Sequence, residues 1–287
     1  MDAKLQRRVQ RYGWDAAAAH YEPGWASSLT LAQNRLISVA GLGTGMRVLE
    51  TACGSGLVTA RIAYAVGSAG EVTATDLSQA MVDATARMAA ERGLAHVTTV
   101  RMDAEALDFP DAHFDAAVCA LGLMYVPDPV RALTEMARVT RPGGRIAVTV
   151  WGERKNCGWC EIFPIVDARV ASEVCPLFFG TGGRGVLEKM VSEAGLRDTA
   201  EWRDQVELVW PDADSLLSAM IDGGPVALAA KRFAPEVRVE VEAAFLGSVA
   251  AFLCHDGSYA IPAEFLTVAG RSPPSQRPKS DQFDDGS

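Results

Sequence analysis

Val48-Leu49-Glu50-Thr51-Ala52-Cys53-Gly54-Ser55-Gly56 reads as a β-strand over 47–52 that runs into a glycine-containing turn. Glycine carries no Cβ, so this backbone can approach a ligand closely. The pattern then alternates. Helix is expected over 57–65, strand over 71–75, helix over 79–92 capped by Ser78 and stopped at Gly93, and strand over 97–102. A fourth strand is expected over 114–120, a helix over 129–139, a tight turn at Arg141-Pro142-Gly143-Gly144, and a fifth strand over 145–151. Strands alternating with helices pair in parallel through right-handed crossovers. The fold class is therefore α/β: a Rossmann-like doubly wound sheet with its ligand at the carboxyl ends of the strands.

Outside this core the pattern is less regular. Residues 3–39 read as mostly helical. After Trp151 come a helix over 185–194 that stops at Gly195, a strand over 205–209, helical segments over 214–220 and 235–253, and a last strand over 262–269. The sheet is expected to be mostly parallel, with one antiparallel strand near the C-terminal edge. The implied division is an N-terminal helical cap (1–40), a cofactor-binding core (41–152), the rest of the sheet with a helical lid insertion (153–270), and a polar, Pro-rich disordered tail (271–287).

Of the 287 residues, 49% are hydrophobic and 22% charged, enough to bury a sizeable core. The net charge of −9, with no long Lys/Arg run, argues against a nucleic-acid partner. No apolar run approaches the roughly 18–20 residues of a membrane span, and Met1–Gln10 is unlike a signal peptide. The six cysteines are dispersed through a chain too long to need disulfide staples. A cytoplasmic protein with reduced thiols is expected. Cys157 and Cys160 form a C-x-x-C pair without a second pair or His cluster, which reads as core or pocket-wall thiols, with no metal site.

Three further features share the register of the first turn. Asp76 ends the second strand, roughly 20 residues after Gly56, the separation at which a carboxylate can accept ribose hydroxyls. Asp103-Ala104-Glu105 follows the third strand. Phe114-Asp115-Ala116 through Leu123, Tyr125-Val126-Pro127-Asp128-Pro129 and Arg138 through Gly144 follow in order. Singly, each has an ordinary reading as turn, helix-end acid or solvated loop. Together they resemble the class I methyltransferases that use S-adenosylmethionine (SAM), most closely the ubiquinone/menaquinone-biosynthesis type that acts on small molecules. Glu50 stands where Asp is commoner, and Ala52 replaces the usual first Gly.

The resemblance implies SAM as cofactor, held by Tyr21, Glu50, Ala52, Cys53, Gly54, Gly56, Asp76, Leu77, Met81, Asp103, Ala104, Glu105, Ala120 and Leu121. Asp76 would bind the ribose and Asp103 the adenine amino group. It also implies a small, partly apolar acceptor, methylated by in-line displacement under an N-terminal helical segment rich in aromatics (Tyr12, Trp14, Tyr21, Trp25). No unambiguous general base is visible. Tyr125, His20 and His255 are the candidates, each with an equal or better structural reading. A non-catalytic module binding SAM or S-adenosylhomocysteine is the alternative. A nicotinamide-dependent oxidoreductase is a weaker one, because Thr59 stands where its fingerprint needs a small residue and Glu50 suits a cation better than a phosphate. A polyamine-synthase-like transfer would call for an acidic cluster near 121–129 that is missing.

Overall fold

Val48 and Leu49 are neighbours in sequence but belong to different hydrophobic layers. Successive strand side chains point to opposite faces, and both residues are fully buried, so this strand is covered on both sides. It is β1, Arg47–Thr51, at the middle of a seven-stranded sheet. The computed structural model describes residues 2–170 and 178–274.

The other strands are β2 (Glu71–Asp76), β3 (Val97–Arg101), β4 (Phe114–Ala120), β5 (Thr140–Trp151), β6 (Arg197–Trp210) and β7 (Tyr259–Arg271). Their order is β3-β2-β1-β4-β5-β7-β6. The pairs among β1 to β5 are parallel, and β7 runs antiparallel to both β5 and β6. Strand order reverses between β1 and β4, and that switch point opens a crevice at their carboxyl ends.

Helices α1 (Ala3–Trp25), α2 (Thr30–Ala40), α3 (Leu57–Val66), α4 (Gln79–Glu91) and α5 (Pro129–Val139) accompany this half. Ser78 caps α4 by accepting from the Met81 N–H, and Asp128 caps α5. Pro129 takes the first turn of α5, where its missing N–H costs nothing. Short helices α6 (Ile162–Asp167) and α7 (Val186–Glu193) precede β6, while α8 (Ala213–Leu217), α9 (Ala227–Ala230) and α10 (Pro235–Ser248) fill the insertion before β7. No described helix is long and apolar enough to cross a membrane.

Four segments differ from the sequence reading. β6 begins at Arg197 rather than at 205. Its first half is charged and exposed, and only the ladder to β7 makes it a strand. The expected tight turn 141–144 lies within β5 as an irregularity, where the register shifts between Phe114 and Ala116 and Gly143 has φ +74°, as at a bulge. The helix expected over 235–253 stops at Ser248 and continues as a 3₁₀ turn, Ala250–Phe252. That expected over 214–220 becomes α8 and a wide π-helical turn, Ser218–Asp222. At the chain's end Arg271 is still in β7, and the Ser272 hydroxyl donates to the carbonyls of Ala137 and Thr140. The remainder of the expected tail, 275–287, lies outside the described residues, as does Cys175.

Candidate cofactor and acceptor site

The switch-point crevice is roofed by α1 and forms a cleft of about 730 Å³, counting its open mouth. Two non-glycine residues with left-handed backbone mark its floor: Ala52 (φ +56°) after β1 and Leu121 (φ +54°) after β4. Such conformations are uncommon outside glycine and collect where a backbone is shaped for a ligand. Between them sits Gly122. A Cβ there would lie 2.2 Å from the Ala52 Cβ and 3.1 Å from the Cys119 Sγ. Bare glycine therefore lets the β4 loop abut the β1 loop. Gly122→Ala should push the two apart, weakening S-adenosylhomocysteine binding roughly tenfold or more and destabilising the fold by about 1–3 kcal/mol. Adding Ala52→Gly frees the space and should restore most of both in calorimetry and urea melts.

Asp76 anchors the loop. One carboxylate oxygen accepts the Gly54 N–H at 3.0 Å, the other the Ser78 N–H at 2.9 Å. Each oxygen keeps a further lone pair for a ligand hydroxyl. Burial, partly countered by those N–H groups, raises its pKa to about 6. Asp15 of α1 accepts from the Ser78 hydroxyl at 2.6 Å and the Ala80 N–H at 3.2 Å, so the roof is pinned to the start of α4 beside Asp76.

Glu50 lies under the loop rather than in the cleft, with the Thr59 hydroxyl donating to it. Burial, moderated by that bond and reinforced by Asp76, pushes it up to about 8. Thr59 thus uses its hydroxyl on the buried acid and does not face the cleft. The folded pKa lies above the usual 4.5 of the unfolded chain. The stability tied to this proton is thus complete below pH 4.5 and lost as pH rises through about 8. Glu50→Gln should flatten that decline, as measured by urea unfolding of the ligand-free protein across the window.

The other expected cofactor residues divide clearly. Tyr21, Ala52, Gly54, Leu77, Met81, Ala104, Ala120 and Leu121 line the cleft with Asp76, Asp103 and Glu105. Cys53 and Gly56 do not. Cys53 is buried, and burial raises its thiol well above the ordinary range. Gly56 (φ +92°) makes room for α4: a Cβ there would lie 2.5 Å from the Met88 Cε. The Asp103 carboxylate pairs with Arg7 of α1 at 2.8 Å, and Arg7 also holds Glu105 at 2.7 Å. Glu105 in turn accepts the Asp128 N–H. Burial, ahead of the pull of Arg7, raises the Glu105 pKa.

Of the candidate bases, Tyr125 lines the cleft, while His20 and His255 are exposed and outside it. Tyr21, against Gly54, has its phenol pushed up by burial and then by Asp76, which keeps the hydroxyl protonated. Trp14 and Gly122 also line the cleft, as do Arg7, Gln10 and Met102, which were not expected there. Cys157 and Cys160 are buried, and burial pushes the Cys157 thiol up to about 12.

A second, narrower cavity adjoins the first, about 310 Å³ counting its opening. Trp14, Tyr21, Leu121 and Tyr125 line both. Trp25, Trp151, Trp159 and Phe178 make most of its remaining wall, and none of the described residues lining it is acidic, basic or histidine. Trp14 stands edge-on to Tyr21 at 5.6 Å and to Tyr125 at 5.1 Å. The shared wall is thus an aromatic frame in the edge-to-face geometry that ring pairs favour.

A 3-2-1-4-5-7-6 sheet, a glycine loop at the switch point and an acid ending β2 beside it define a SAM-binding methyltransferase domain. The site fits such a cofactor on its own terms. Asp76 lines the cleft with a further lone pair on each carboxylate oxygen, and SAM brings two ribose hydroxyls. The chain belongs to the class I SAM-dependent methyltransferases. Residues 48–144 match the methyltransferase domain family. The ubiquinone/menaquinone biosynthesis C-methyltransferase UbiE of Shewanella oneidensis is 31% identical over 189 residues, 66% of this chain and 69% of that one. Among solved structures, the YcgJ protein of Bacillus subtilis superposes with a TM-score of 0.58 at 19% identity, covering 87% of this chain and 99% of that one. The cyclase SpnF superposes at 0.54 with 24% identity, covering 85% and 81%.

Proposed function

We propose that this enzyme transfers the SAM methyl group to a small, largely apolar, planar acceptor held in the aromatic cavity. The observation that carries this is the shared wall: the cofactor cleft and an uncharged aromatic cavity meet at Trp14, Tyr21, Leu121 and Tyr125. SAM supplies a methyl carbon made electrophilic by its sulfonium. Asp76 and the Gly54 loop hold the nucleoside end, and Tyr21, protonated, donates rather than abstracts. The aromatic frame orients a flat acceptor and excludes water, so positioning provides most of the rate. Among the described residues the cavity wall carries no acid or base apart from the tyrosines, which suits an acceptor that arrives ionised or ionises easily. The name C-methyltransferase borne by the Shewanella relative puts carbon first among acceptor atoms.

The test is incubation with methyl-labelled SAM and a panel of phenols, quinols, amines and thiols, with the product located by NMR. Labelled phenol or quinol products are expected, and transfer to small amines alone would sink the reading. A second reading, cofactor binding without methyl transfer, is favoured by the same absence of acid–base groups and is compatible with a fold shared with a cyclase. Tight S-adenosylhomocysteine binding with no labelled product from any acceptor would establish it.

A further inference from the structure

Trp159 is fully buried, lines the aromatic cavity, and its indole N–H has no hydrogen-bond partner among the described residues. Its neighbours are treated differently. The Trp25 N–H donates to the carbonyls of Ala219 (3.1 Å) and Gly223 (3.2 Å), and the Trp210 N–H to that of Gly24 (2.9 Å). Buried indole N–H groups ordinarily find a partner, and an orphaned one disfavours the state that contains it. Here the orphan belongs to a ring in the wall of the aromatic cavity.

The ring itself is held in place. Trp151 packs on it at 4.9 Å and Phe178 at 5.6 Å, both edge-to-face, with Trp25 at 6.1 Å. The turn that carries it is fixed from below: Glu264 accepts from the Glu153 N–H and the Asn156 amide, and the Gly158 N–H donates to the Pro262 carbonyl. Trp159 cannot easily turn away to find a partner elsewhere.

We infer that Trp159 is a specificity-determining residue whose indole N–H donates to an oxygen on the acceptor, so that the preferred acceptors are planar molecules bearing a carbonyl, ether or hydroxyl oxygen. The inference rests on the proposed acceptor cavity and goes beyond it by assigning a polar contact in an otherwise apolar wall. A buried donor selects strongly, because an analogue lacking the oxygen leaves it unpaired.

The experiment uses full-length protein saturated with S-adenosylhomocysteine and two probes of similar shape, 2-acetylnaphthalene and 2-isopropylnaphthalene. Binding is followed by calorimetry and by the indole N–H signals of protein labelled with ¹⁵N-tryptophan. The Trp159 signal is assigned by its loss in Trp159→Phe. The expected result is a preference for the ketone of about tenfold or more, with the Trp159 proton moving downfield for the ketone only. Trp159→Phe should reduce the preference to within about twofold. Replacing the indole by benzothienylalanine, which keeps the bicycle without the N–H, should do the same if the phenylalanine variant fails to fold. Equal binding of both probes, or a Trp159 signal indifferent to bound ketone, overturns the inference and leaves the acceptor cavity standing. Binding of neither probe overturns both.

Discussion

Asp76→Ala should weaken SAM binding by roughly two orders of magnitude or more, measured by calorimetry. The carboxylate organises the loop through the Gly54 and Ser78 N–H groups and keeps a lone pair on each oxygen for a ribose hydroxyl. Hydrogen bonds to a charged group contribute about 1.5–3 kcal/mol each, and losing two of them gives roughly 100-fold even at the low end. Asp76→Asn should be nearly as damaging. Because both oxygens face N–H donors, an amide must turn its own NH₂ toward one of them. A pH signature follows. Asp76 accepts fully only when ionised, and its pKa in the free protein is about 6. Affinity should therefore fall as pH drops through 6, by at most about tenfold per unit. Affinity unchanged in Asp76→Ala would remove Asp76 from the cofactor site.

The second large effect is on stability. Trp25→Ala should cost about 3–5 kcal/mol in urea unfolding, a large share of the roughly 5–15 kcal/mol that holds a typical domain together. Trp25 is the hub of an aromatic cluster, with Trp151, Trp159 and Trp210 within 6.1 Å. Its N–H bonds fasten α1 to the Ser218–Asp222 turn. Removing it leaves a cavity, strands two carbonyls and loosens the roof. Acceptor turnover should fall more than S-adenosylhomocysteine affinity, because Trp25 lines the aromatic cavity but not the cofactor cleft.

The parts of the site legible in the sequence are those fixed by local backbone demands. Gly54, Asp76 and the Ser78 cap each announce a turn or helix start within a few residues, and the structure brings them together. Residues that work across the fold gave no such signal. Arg7 and Asp15 look like solvated charges on a helix, yet their partners Glu105 and Ser78 lie 98 and 63 residues away. Gly122 looks like any loop glycine until the Ala52 Cβ is placed against it. Around residue 157 the cysteine spacing draws the eye, but the tryptophan between the thiols forms the cavity wall. The charged half of β6 escapes hydrophobic periodicity because it is an exposed edge laddered to β7.

The ladder between β6 and β7 closes on the pair Trp210 and Tyr259. Everything between them, residues 211–258, therefore leaves and re-enters the sheet at abutting points. A segment whose ends already touch can be lengthened, shortened or exchanged at an entropic cost that grows only with the logarithm of its length. The segment lends Gly224 and Pro225 to the aromatic cavity and no residue to the cofactor cleft, so exchanging 211–258 reshapes one wall of the chamber above an unchanged cofactor floor.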